Sequence, residues 1–549
     1  MTQNDIVQKL WNLCDVLRDD GINYSDYVTE LVLLLFVKME YENTQAGLLN
    51  AHALPEGKRW PDLTGRSGLE LLNFYKQMLL DLSKSDDRLI AAIYADAQTR
   101  LREPRHLEQL IRDLDRIDWF SAQKDGLGDL YEGLLEKNAN ETKSGAGQYF
   151  TPRALINAMV RCMKPRPGER IQDPAAGTGG FLIAADQYMR DQTDDYLDLD
   201  RSQADYQKLK AFVGIELVPG TRRLALMNCL LHGMEGDDEG VVHLGNALGQ
   251  QGAQLDRADM ILANPPFGTA KGGEASITRE DLTFRTSNKQ LAFLQHIYRG
   301  LKPGGRAAVV LPDNVLFEAG QGTEIRRDLM EKCHLHTILR LPTGIFYAQG
   351  VKTNVLFFSR GTAENPHQDE GCTDSVWVYD LRTNMPSFGK RTPFNEAHLA
   401  PFERCYNPAG ADALSEQLAA RKEGDWSFGA EEIDSQKTAD PDANVGLDEE
   451  TRARLQTARW RRFSREWIRD TKGDSLDITW LKDADSLEAE NLPEPDVLAA
   501  EAMSELAEAL RELDGLMAAL GNEDEAAAQK TLLAEAMGLG EESGNEVKG

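Results

Sequence analysis

The stretch RIQDPAAGTGGFL, residues 170–182, combines a short strand pattern, a loop of small residues and the start of a helix. The strand pattern ends at Asp173, and Gly177, Gly179 and Gly180 follow in the loop. Glycine lets a backbone turn tightly and approach a ligand closely. The stretch therefore predicts a ligand-binding turn between strand and helix, although alone it also fits a dinucleotide site or a purely structural turn.

The residue types in this loop favour a ligand without phosphate. A dinucleotide fingerprint needs Gly or Ala where Leu182 stands, and the lysine of a phosphate-binding P-loop is missing. Asp173 would repel a pyrophosphate but attract an ammonium group. S-adenosylmethionine carries an ammonium and a sulfonium and no phosphate, so it is the predicted cofactor. The loop residues assigned to it are Asp173, Ala175, Gly177, Thr178, Gly179 and Gly180.

Two further strand ends carry polar side chains. In AFVGIELVP, residues 211–219, Glu216 ends the strand pattern, where a carboxylate would accept hydrogen bonds from both ribose hydroxyls. An ordinary surface carboxylate is the alternative. Asn246 in GNAL, residues 245–248, is equally a candidate for binding the cofactor's adenine and for an ordinary turn.

The stretch ILANPPFGTA, residues 261–270, places Asn264, Pro265, Pro266 and Phe267 directly after an apolar run. The exocyclic amine of adenine is a poor nucleophile because its lone pair is delocalised into the ring. If the Asn264 side-chain oxygen and the Pro265 carbonyl accept its hydrogens, the nitrogen gains electron density. The two prolines fix the backbone without competing N–H groups, and Phe267 offers a flat face to a base swung out of the duplex. The four residues are therefore the predicted catalytic motif.

The chemistry predicted for this motif is methyl transfer to a planar nitrogen, which needs positioning and electrostatics rather than a strong general base. Cytosine N4 and the amide of a protein glutamine remain open as acceptors, and an inactive scaffold is the non-enzymatic alternative. A cytosine C5 methyltransferase would need a nucleophilic cysteine, which this region lacks. The six cysteines form no C-x-x-C pair, so neither a disulfide framework nor a metal site is predicted.

The order of patterns along the chain predicts an α/β fold. From about residue 145 to 400, short β-branched or apolar runs alternate with helical stretches, which is typical of a mostly parallel, Rossmann-like sheet with helices on both faces. The preceding residues have helical periodicity, and Ile6, Leu10, Leu13 and Leu17 lie on one face of a helix. The predicted domains are a helical domain over 1–144, a methyltransferase domain over 145–405, a linker with irregular or helical structure over 406–495, and a C-terminal helical tail over 496–549.

Three segments beyond the catalytic motifs call for separate interpretation. Residues 407–450 have the composition of a flexible connection. Residues 459–469, RWRRFSREWIR, are predicted either to touch phosphates or a partner, or to form a structural helix with its arginines at the surface. Residues 499–520 carry a heptad pattern that predicts either a helix docking a partner subunit or one closing its own domain.

The charge of the chain limits how it would hold a nucleic acid. Its net charge is −29 over 549 residues, which argues against broad, sequence-independent attraction to DNA. If DNA is the substrate, local basic patches or another subunit must hold it. The N-terminus lacks a signal-peptide pattern, and the apolar run that begins at Leu31 is too short to span a bilayer. We therefore expect a cytoplasmic protein with no membrane partner.

Taken together, these motifs resemble the amino-methyltransferases that modify exocyclic nitrogens of DNA, with DPAAGTGGF as the first motif and NPPF as the fourth. The stretch GAGQYFTPR, residues 145–153, resembles the motif in which an aromatic-Thr-Pro segment closes over the cofactor. Longer stretches, such as SNKQLAFLQHIYRGLKPGGRAAVVLPDNVLF, resemble modification subunits of type I restriction-modification systems of the type IA group. The positions that match the preceding motif are Gln148, Tyr149, Phe150, Thr151, Pro152 and Arg153.

The resemblance implies a specific activity and specific partners. It implies S-adenosylmethionine-dependent methylation of adenine N6 in double-stranded DNA, with the base flipped out of the helix. It also implies that two modification subunits bind one specificity subunit, which reads the DNA sequence, and that restriction subunits join the full complex. This agrees with the sequence, in which no extended basic, aromatic-rich segment follows the catalytic motifs.

Overall fold

A computed structural model of the chain describes residues 3–22, 26–47, 52–117, 119, 127–141, 151–267, 277–346, 351–389, 392–424 and 458–481. Within these residues, nine strands form one mixed sheet. The strands are β1 (Ile171–Asp173), β2 (Phe212–Glu216), β3 (Val242–Leu244), β4 (Ala258–Ala263), β5 (Leu301–Pro312), β6 (Cys333–Arg340), β7 (Thr353–Arg360), β8 (Ser375–Asp380) and β9 (Trp460–Ser464). Their order across the sheet is β3-β2-β1-β4-β5-β7-β6-β8-β9.

Helices precede the sheet and connect its strands. Those that precede β1 are α1 (Gln3–Asn12), α2 (Cys14–Asp19), α3 (Tyr27–Gln45), α4 (Trp60–Thr64), α5 (Gly68–Leu82), α6 (Arg88–Ile93), α7 (Pro104–Asp115), α8 (Leu127–Glu141) and α9 (Arg153–Met163). Those that follow β1 are α10 (Gly180–Gln192), α11 (Arg201–Leu209), α12 (Pro219–Leu231), α13 (Gln250–Ala253), α14 (Lys289–Gly300), α15 (Asp313–Phe317), α16 (Gln321–Lys332), α17 (Glu396–Tyr406), α18 (Leu414–Ala420) and α19 (Arg465–Asp470).

The strand order reverses between β1 and β4. The chain runs outward from β1 through β2 to β3 in parallel pairings, and then returns to place β4 on the other side of β1, again in parallel. In open α/β sheets, ligands bind outside the carboxyl ends of the strands at such a reversal. The fold therefore marks the carboxyl ends of β1 and β4 as the place for a site.

The far half of the sheet is mixed. Strand β7 runs antiparallel to both β5 and β6, and β9 runs antiparallel to β8. An antiparallel neighbour needs no helical crossover, and the described residues between β6 and β7 contain no helix. Five of the eight pairings are parallel, so the sequence prediction of a mostly parallel α/β sheet is confirmed.

Both faces of the sheet are covered, because successive strand residues belong to different cores. In β4, Met260 and Leu262 join one core, whereas Ile261 and Ala263 join the other. The first core continues into the N-terminal helices, where the apolar run that begins at Leu31 lies in the buried helix α3. One face of the sheet is thus packed against the helices that precede the methyltransferase motifs. The six cysteines are buried and none forms a disulfide.

Two local predictions need correction. The periodic stretch at the N-terminus forms α1 and α2, separated at Leu13, rather than one helix, although its four predicted apolar residues are all buried. The stretch 459–469 forms β9 and then α19, so the helix that was one of its two interpretations begins only at Arg465. Trp460 is buried and Arg461 is buried near Glu423, because the strand completes the sheet. This strand lies in the predicted linker over 406–495.

Other predictions lie outside the described residues. These are the heptad segment 499–520, most of the connection 407–450, and the positions Gln148, Tyr149 and Phe150. In the part of the chain that the structure describes, no helix has the length and apolar character needed to cross a bilayer.

Candidate active site

The predicted site residues follow neighbouring strands at one edge of the sheet. Asp173 ends β1 opposite Gly214 of β2, two residues before Glu216 at the end of that strand. On its other side, β1 pairs in parallel with β4, which Asn264 follows directly. The carboxyl ends of parallel strands meet at the same edge, so this topology brings together residues that are far apart in sequence.

Asp173 is a buried carboxyl group at the centre of this edge. It is 1% exposed, and its Oδ1 accepts a hydrogen bond of 3.0 Å from the Ala175 N–H. Among the described residues, Oδ2 has no hydrogen-bond partner. Burial raises the pKa of Asp173 to about 8, the Ala175 N–H opposes the rise, and the charge of Glu216 adds to it. A cation entering beside Asp173 would favour its ionised form.

Glu216 anchors the glycine turn to the end of β2. Its Oε2 accepts a hydrogen bond of 3.0 Å from the Gly177 N–H, and its Oε1 accepts one of 2.8 Å from the Val218 N–H. Burial raises the pKa of Glu216, and these backbone hydrogen bonds oppose the rise. A carboxylate oxygen has two acceptor positions, so each still has one for a ligand hydroxyl.

The glycine turn borders open space on its outer side. Gly177 has a φ of +54°, and a Cβ built on it would meet no atom within 4 Å. Gly180 is the first residue of α10, and a Cβ there would lie 3.1 Å from Ile156 of α9. Gly177 therefore faces the space where a ligand would lie, whereas Gly180 allows close packing of two helices.

The NPPF motif is held by hydrogen bonds from two other parts of the chain. Asn264 is buried, and its Nδ2 donates a hydrogen bond of 2.9 Å to Thr151 Oγ1. The carbonyl of Pro266 accepts a hydrogen bond of 3.0 Å from Gln290 Nε2 in α14. Gln290 thus binds the carbonyl of the second proline, not that of Pro265. The Thr-Pro-Arg segment, predicted to lie over the cofactor, contacts the catalytic motif directly.

Other predicted cofactor residues have contacts of their own. Arg153 forms an ion pair with Glu132 of α8. Asn246 lies two residues beyond β3 and accepts a hydrogen bond of 2.9 Å from the Leu248 N–H, which is the ordinary turn that the sequence left open. Its position beside the end of β2 is compatible with a ligand contact as well.

Comparison with known proteins identifies the family. The profile of the family described as N-6 DNA Methylase matches residues 122–451, more than half of the chain. The chain belongs to this family. Two further profiles match: the HsdM N-terminal domain over residues 6–114, and the C-terminal domain of type I restriction enzyme methylase subunits over residues 492–535.

Relatives of the methylase match over nearly its full length. It is 59% identical to the type I restriction enzyme EcoKI methylase subunit of Escherichia coli (strain K12), over 98% of this chain and 99% of the relative. It is likewise 59% identical to the StySPI methylase subunit of Salmonella potsdam, with the same coverage. The crystal structure of the EcoKI M protein covers 97% of this chain and 99% of its own, with 54% identity and a TM-score of 0.56. The resemblance to type I modification subunits is confirmed.

Several residues that border the site of the methylase were missed by the sequence analysis. Leu217 and Val218 follow Glu216 directly and are 62% and 52% exposed, and Leu244 at the end of β3 is also exposed. In the sequence, Leu217 and Val218 follow the strand-end acid Glu216 as an apolar pair. The pair continues the strand pattern, so its exposure could not be read from the sequence. The Phe267 ring packs edge-on against Phe346, with 5.7 Å between centroids. Nothing local in the sequence marks Phe346 as its partner.

Glu132 of α8 connects three parts of the site. It pairs with Arg153, which begins α9 directly after Thr151 and Pro152. Its Oε1 accepts a hydrogen bond of 3.3 Å from Asn228 Nδ2, which also donates one of 3.0 Å to the Thr178 carbonyl in the glycine turn. Glu132 therefore ties α8 both to the turn and to the segment that holds Asn264.

A histidine at the end of α12 shares this environment. His232 Nδ1 lies 2.8 Å from the Asn228 carbonyl, and Nε2 lies 3.6 Å from Asp129 of α8. Burial alone would lower the pKa of His232, but Asp129 and Glu132 raise it above its usual value. The ring thus lies between the last turn of α12 and Asp129 of α8.

We expect Glu132→Gln to weaken S-adenosylmethionine binding about tenfold, because a hydrogen bond to a charged group is lost and the Arg153 guanidinium faces an amide. Gln keeps an acceptor for Asn228, so the protein should still fold. Isothermal titration calorimetry measures the change. The matched control is Glu235→Gln, which removes an exposed ion pair with Lys208 away from the site. Equal affinities in the two variants would contradict the role given to Glu132.

Proposed function

We propose that this methylase transfers a methyl group from S-adenosylmethionine to N6 of adenine in DNA, as the modification subunit of a type I restriction-modification complex. The observation that carries the proposal is the hydrogen bond between Asn264 Nδ2 and Thr151 Oγ1 at the carboxyl edge beside β1. In this arrangement Nδ2 faces Thr151 Oγ1, so Oδ1 is the amide atom that would accept from an amine. The membership in the N-6 DNA methylase family supports the same assignment.

S-adenosylmethionine fits the half of the site formed by β1 and β2. Oδ2 of Asp173 would accept from its ammonium group, and the remaining acceptor positions of Glu216 would accept from the ribose hydroxyls, because the backbone hydrogen bonds to these carboxylates leave those positions over. The exposed side chains of Leu217 and Val218 offer an apolar surface for the adenine ring. Gly177 allows close approach of the turn. When bound, the cofactor supplies an electrophilic methyl carbon attached to sulfur.

The half of the site formed by β4 acts on the acceptor amine. Asn264 Oδ1 and the Pro265 carbonyl accept the two amine hydrogens, which turns the nitrogen lone pair out of conjugation with the ring. Gln290 holds the next carbonyl, that of Pro266, and so fixes the direction of the loop. The alkylated nitrogen is acidic and loses its extra proton to water without a strong base. The residues contribute orientation and electrostatics, which are large terms in enzymic catalysis.

Phe267 and Phe346 would hold the extruded base in place. Both are largely buried, and their edge-to-face packing fixes the orientation of the Phe267 ring. Stacking on an aromatic side chain contributes about 1–3 kcal/mol per base. That offsets part of the cost of removing the base from the duplex.

Partners complete the proposed activity. The net charge of −29 gives the chain little general attraction for DNA, so a specificity subunit would select and hold the sequence. We propose two copies of this chain for each specificity subunit, with restriction subunits in the full complex, all in the cytoplasm. The C-terminal tail over 496–549, which overlaps the matched C-terminal profile, is proposed to dock a partner subunit.

The decisive experiment is co-expression of the full chain with its specificity subunit, followed by reaction with labelled S-adenosylmethionine and DNA. We expect N6-methyladenine at a fixed position in a defined sequence, mapped at single-base resolution. N4-methylcytosine or a methylated protein would contradict the assignment of the acceptor. No heat of cofactor binding together with no methyl incorporation would contradict the assignment as an enzyme.

A further inference from the structure

An exposed aromatic side chain lies at the same edge of the sheet as the catalytic motif. Helix α15 follows β5, which pairs in parallel with β4, and it ends at Phe317. Phe317 is 53% exposed, and it is the one exposed aromatic residue among the residues that the structure describes. The sequence analysis assigned no role to it.

A buried arginine holds the backbone on both sides of Phe317. Arg326 of α16 is buried, and its Nη1 donates to the carbonyls of Val315 and Glu318 at 3.0 and 2.9 Å. These carbonyls lie on either side of Phe317 in sequence. The backbone on both sides of Phe317 is therefore held by a buried guanidinium.

Hydrogen bonds connect this segment to the NPPF motif. Glu318 Oε2 accepts a hydrogen bond of 2.6 Å from Asn288 Nδ2, at the start of α14. Two residues further on, Gln290 binds the carbonyl of Pro266. The position of Phe317 is thus coupled through the first turn of α14 to the loop that would hold the extruded base.

A lysine lies next to each end of α15. The Asp313 N–H donates to the carbonyl of Lys352 at 3.0 Å, and Lys289 follows Asn288 directly. Neither lysine forms an ion pair with another described residue, whereas the Asp313 carboxylate is already paired with Arg382. Lysines on the two segments that adjoin α15, together with an exposed aromatic ring, are side chains suited to contact DNA.

We propose that Phe317 contacts DNA next to the extruded adenine and stacks on the bases that remain in the duplex, while Lys289 and Lys352 bind the flanking phosphates. The proposal rests on the proposed function, because only removal of a base from the duplex leaves an unstacked face beside this edge. Extrusion costs stacking energy. A ring held rigidly at the gap restores part of that stacking and so favours the extruded state.

The test uses the full chain in complex with its specificity subunit and a duplex with 2-aminopurine at the mapped target adenine. We expect Phe317→Ala to lower the equilibrium for base extrusion about 10- to 100-fold, from the loss of one stacking contact. The fluorescence increase of 2-aminopurine and the single-turnover rate of methyl transfer should fall together. Phe317→Trp should keep both. The matched control is Leu197→Ala, which removes another exposed apolar side chain, 120 positions before Phe317 in the sequence. It should change neither the fluorescence increase nor the rate of methyl transfer.

Other measurements separate the ways in which this proposal fails. Calorimetric binding of S-adenosylmethionine should be the same in Phe317→Ala as in the unaltered chain, which shows that the site is folded. Unchanged 2-aminopurine fluorescence in Phe317→Ala overturns the proposal, as does loss of assembly with the specificity subunit in size-exclusion chromatography. If the unaltered complex forms no N6-methyladenine, the proposed function itself fails, which is a different result.

Discussion

Asn264→Ala is expected to lower the single-turnover rate of methyl transfer by about 10²- to 10³-fold, the cost typical of removing one group that stabilises charge in a transition state. The reason is that the amine loses one of two acceptors, so its lone pair stays conjugated with the ring. S-adenosylmethionine should still bind, because Asp173 and Glu216 are anchored by other contacts. Rapid-quench measurement on the mapped duplex gives the rate.

Two further variants make this prediction specific to the acceptor oxygen. Asn264→Asp keeps an oxygen at the same place and should retain more activity than Asn264→Ala. Thr151→Val removes the hydroxyl that orients the amide, so we expect a smaller loss of about fivefold, the value of one hydrogen bond. If all three variants lose the same activity, or Asn264→Ala loses none, the amide does not act on the amine.

The residues at strand ends could be predicted from the sequence because the fold places them by rule. Asp173 and Glu216 end short strand patterns and Asn264 directly follows one, and parallel strands bring their carboxyl ends to one edge. Only the order of the predicted strands along the chain was needed to predict that these residues lie close together. The glycine turn was predictable for a similar reason, since a positive φ at Gly177 is costly for other residues.

Contacts between side chains that are distant in sequence could not be predicted. Thr151 and Asn264 are separated by 113 positions, and nothing in either motif specifies their hydrogen bond. Glu132 lies on a helix whose periodicity marks only its buried face, so its contact with Arg153 is invisible in the pattern. These contacts depend on how helices pack on the sheet, which hydrophobic spacing alone does not determine.

Strand β9 was missed for a different reason. Its sequence WRRFS has two adjacent arginines between Trp460 and Phe463 and so lacks the strict alternation of a half-buried strand, and this spacing also fits a helix with surface arginines. Trp460 in fact stacks on Trp377 of β8 with 5.0 Å between centroids, and Arg461 is buried beside Glu423. Tertiary packing thus overrides the local preference, because β9 completes the edge of the sheet next to β8.

Binding of S-adenosylmethionine is expected to have a maximum near pH 8. Only the ionised form of Asp173 attracts an ammonium group, and its pKa in the free protein is about 8. Affinity should therefore fall about tenfold for each pH unit well below that value, as the ionised fraction falls. On the other side, an α-amino group has a pKa of about 7.7–8.0, so the ligand loses its charge at higher pH. Calorimetry over this pH range measures the fall in affinity on both sides of the maximum.

Asp173→Asn tests whether Asp173 causes the fall in affinity below pH 8. The amide cannot ionise, so the decline below pH 8 should disappear, and affinity at pH 8 should be lower by about 10- to 100-fold, the value of a charged hydrogen bond. The thermal unfolding midpoint should not fall, because Asn keeps an acceptor for the Ala175 N–H and removes a buried carboxyl whose ionised form burial disfavours. If affinity in this variant still fell below pH 8 as it does in the unaltered chain, another group would bind the ammonium.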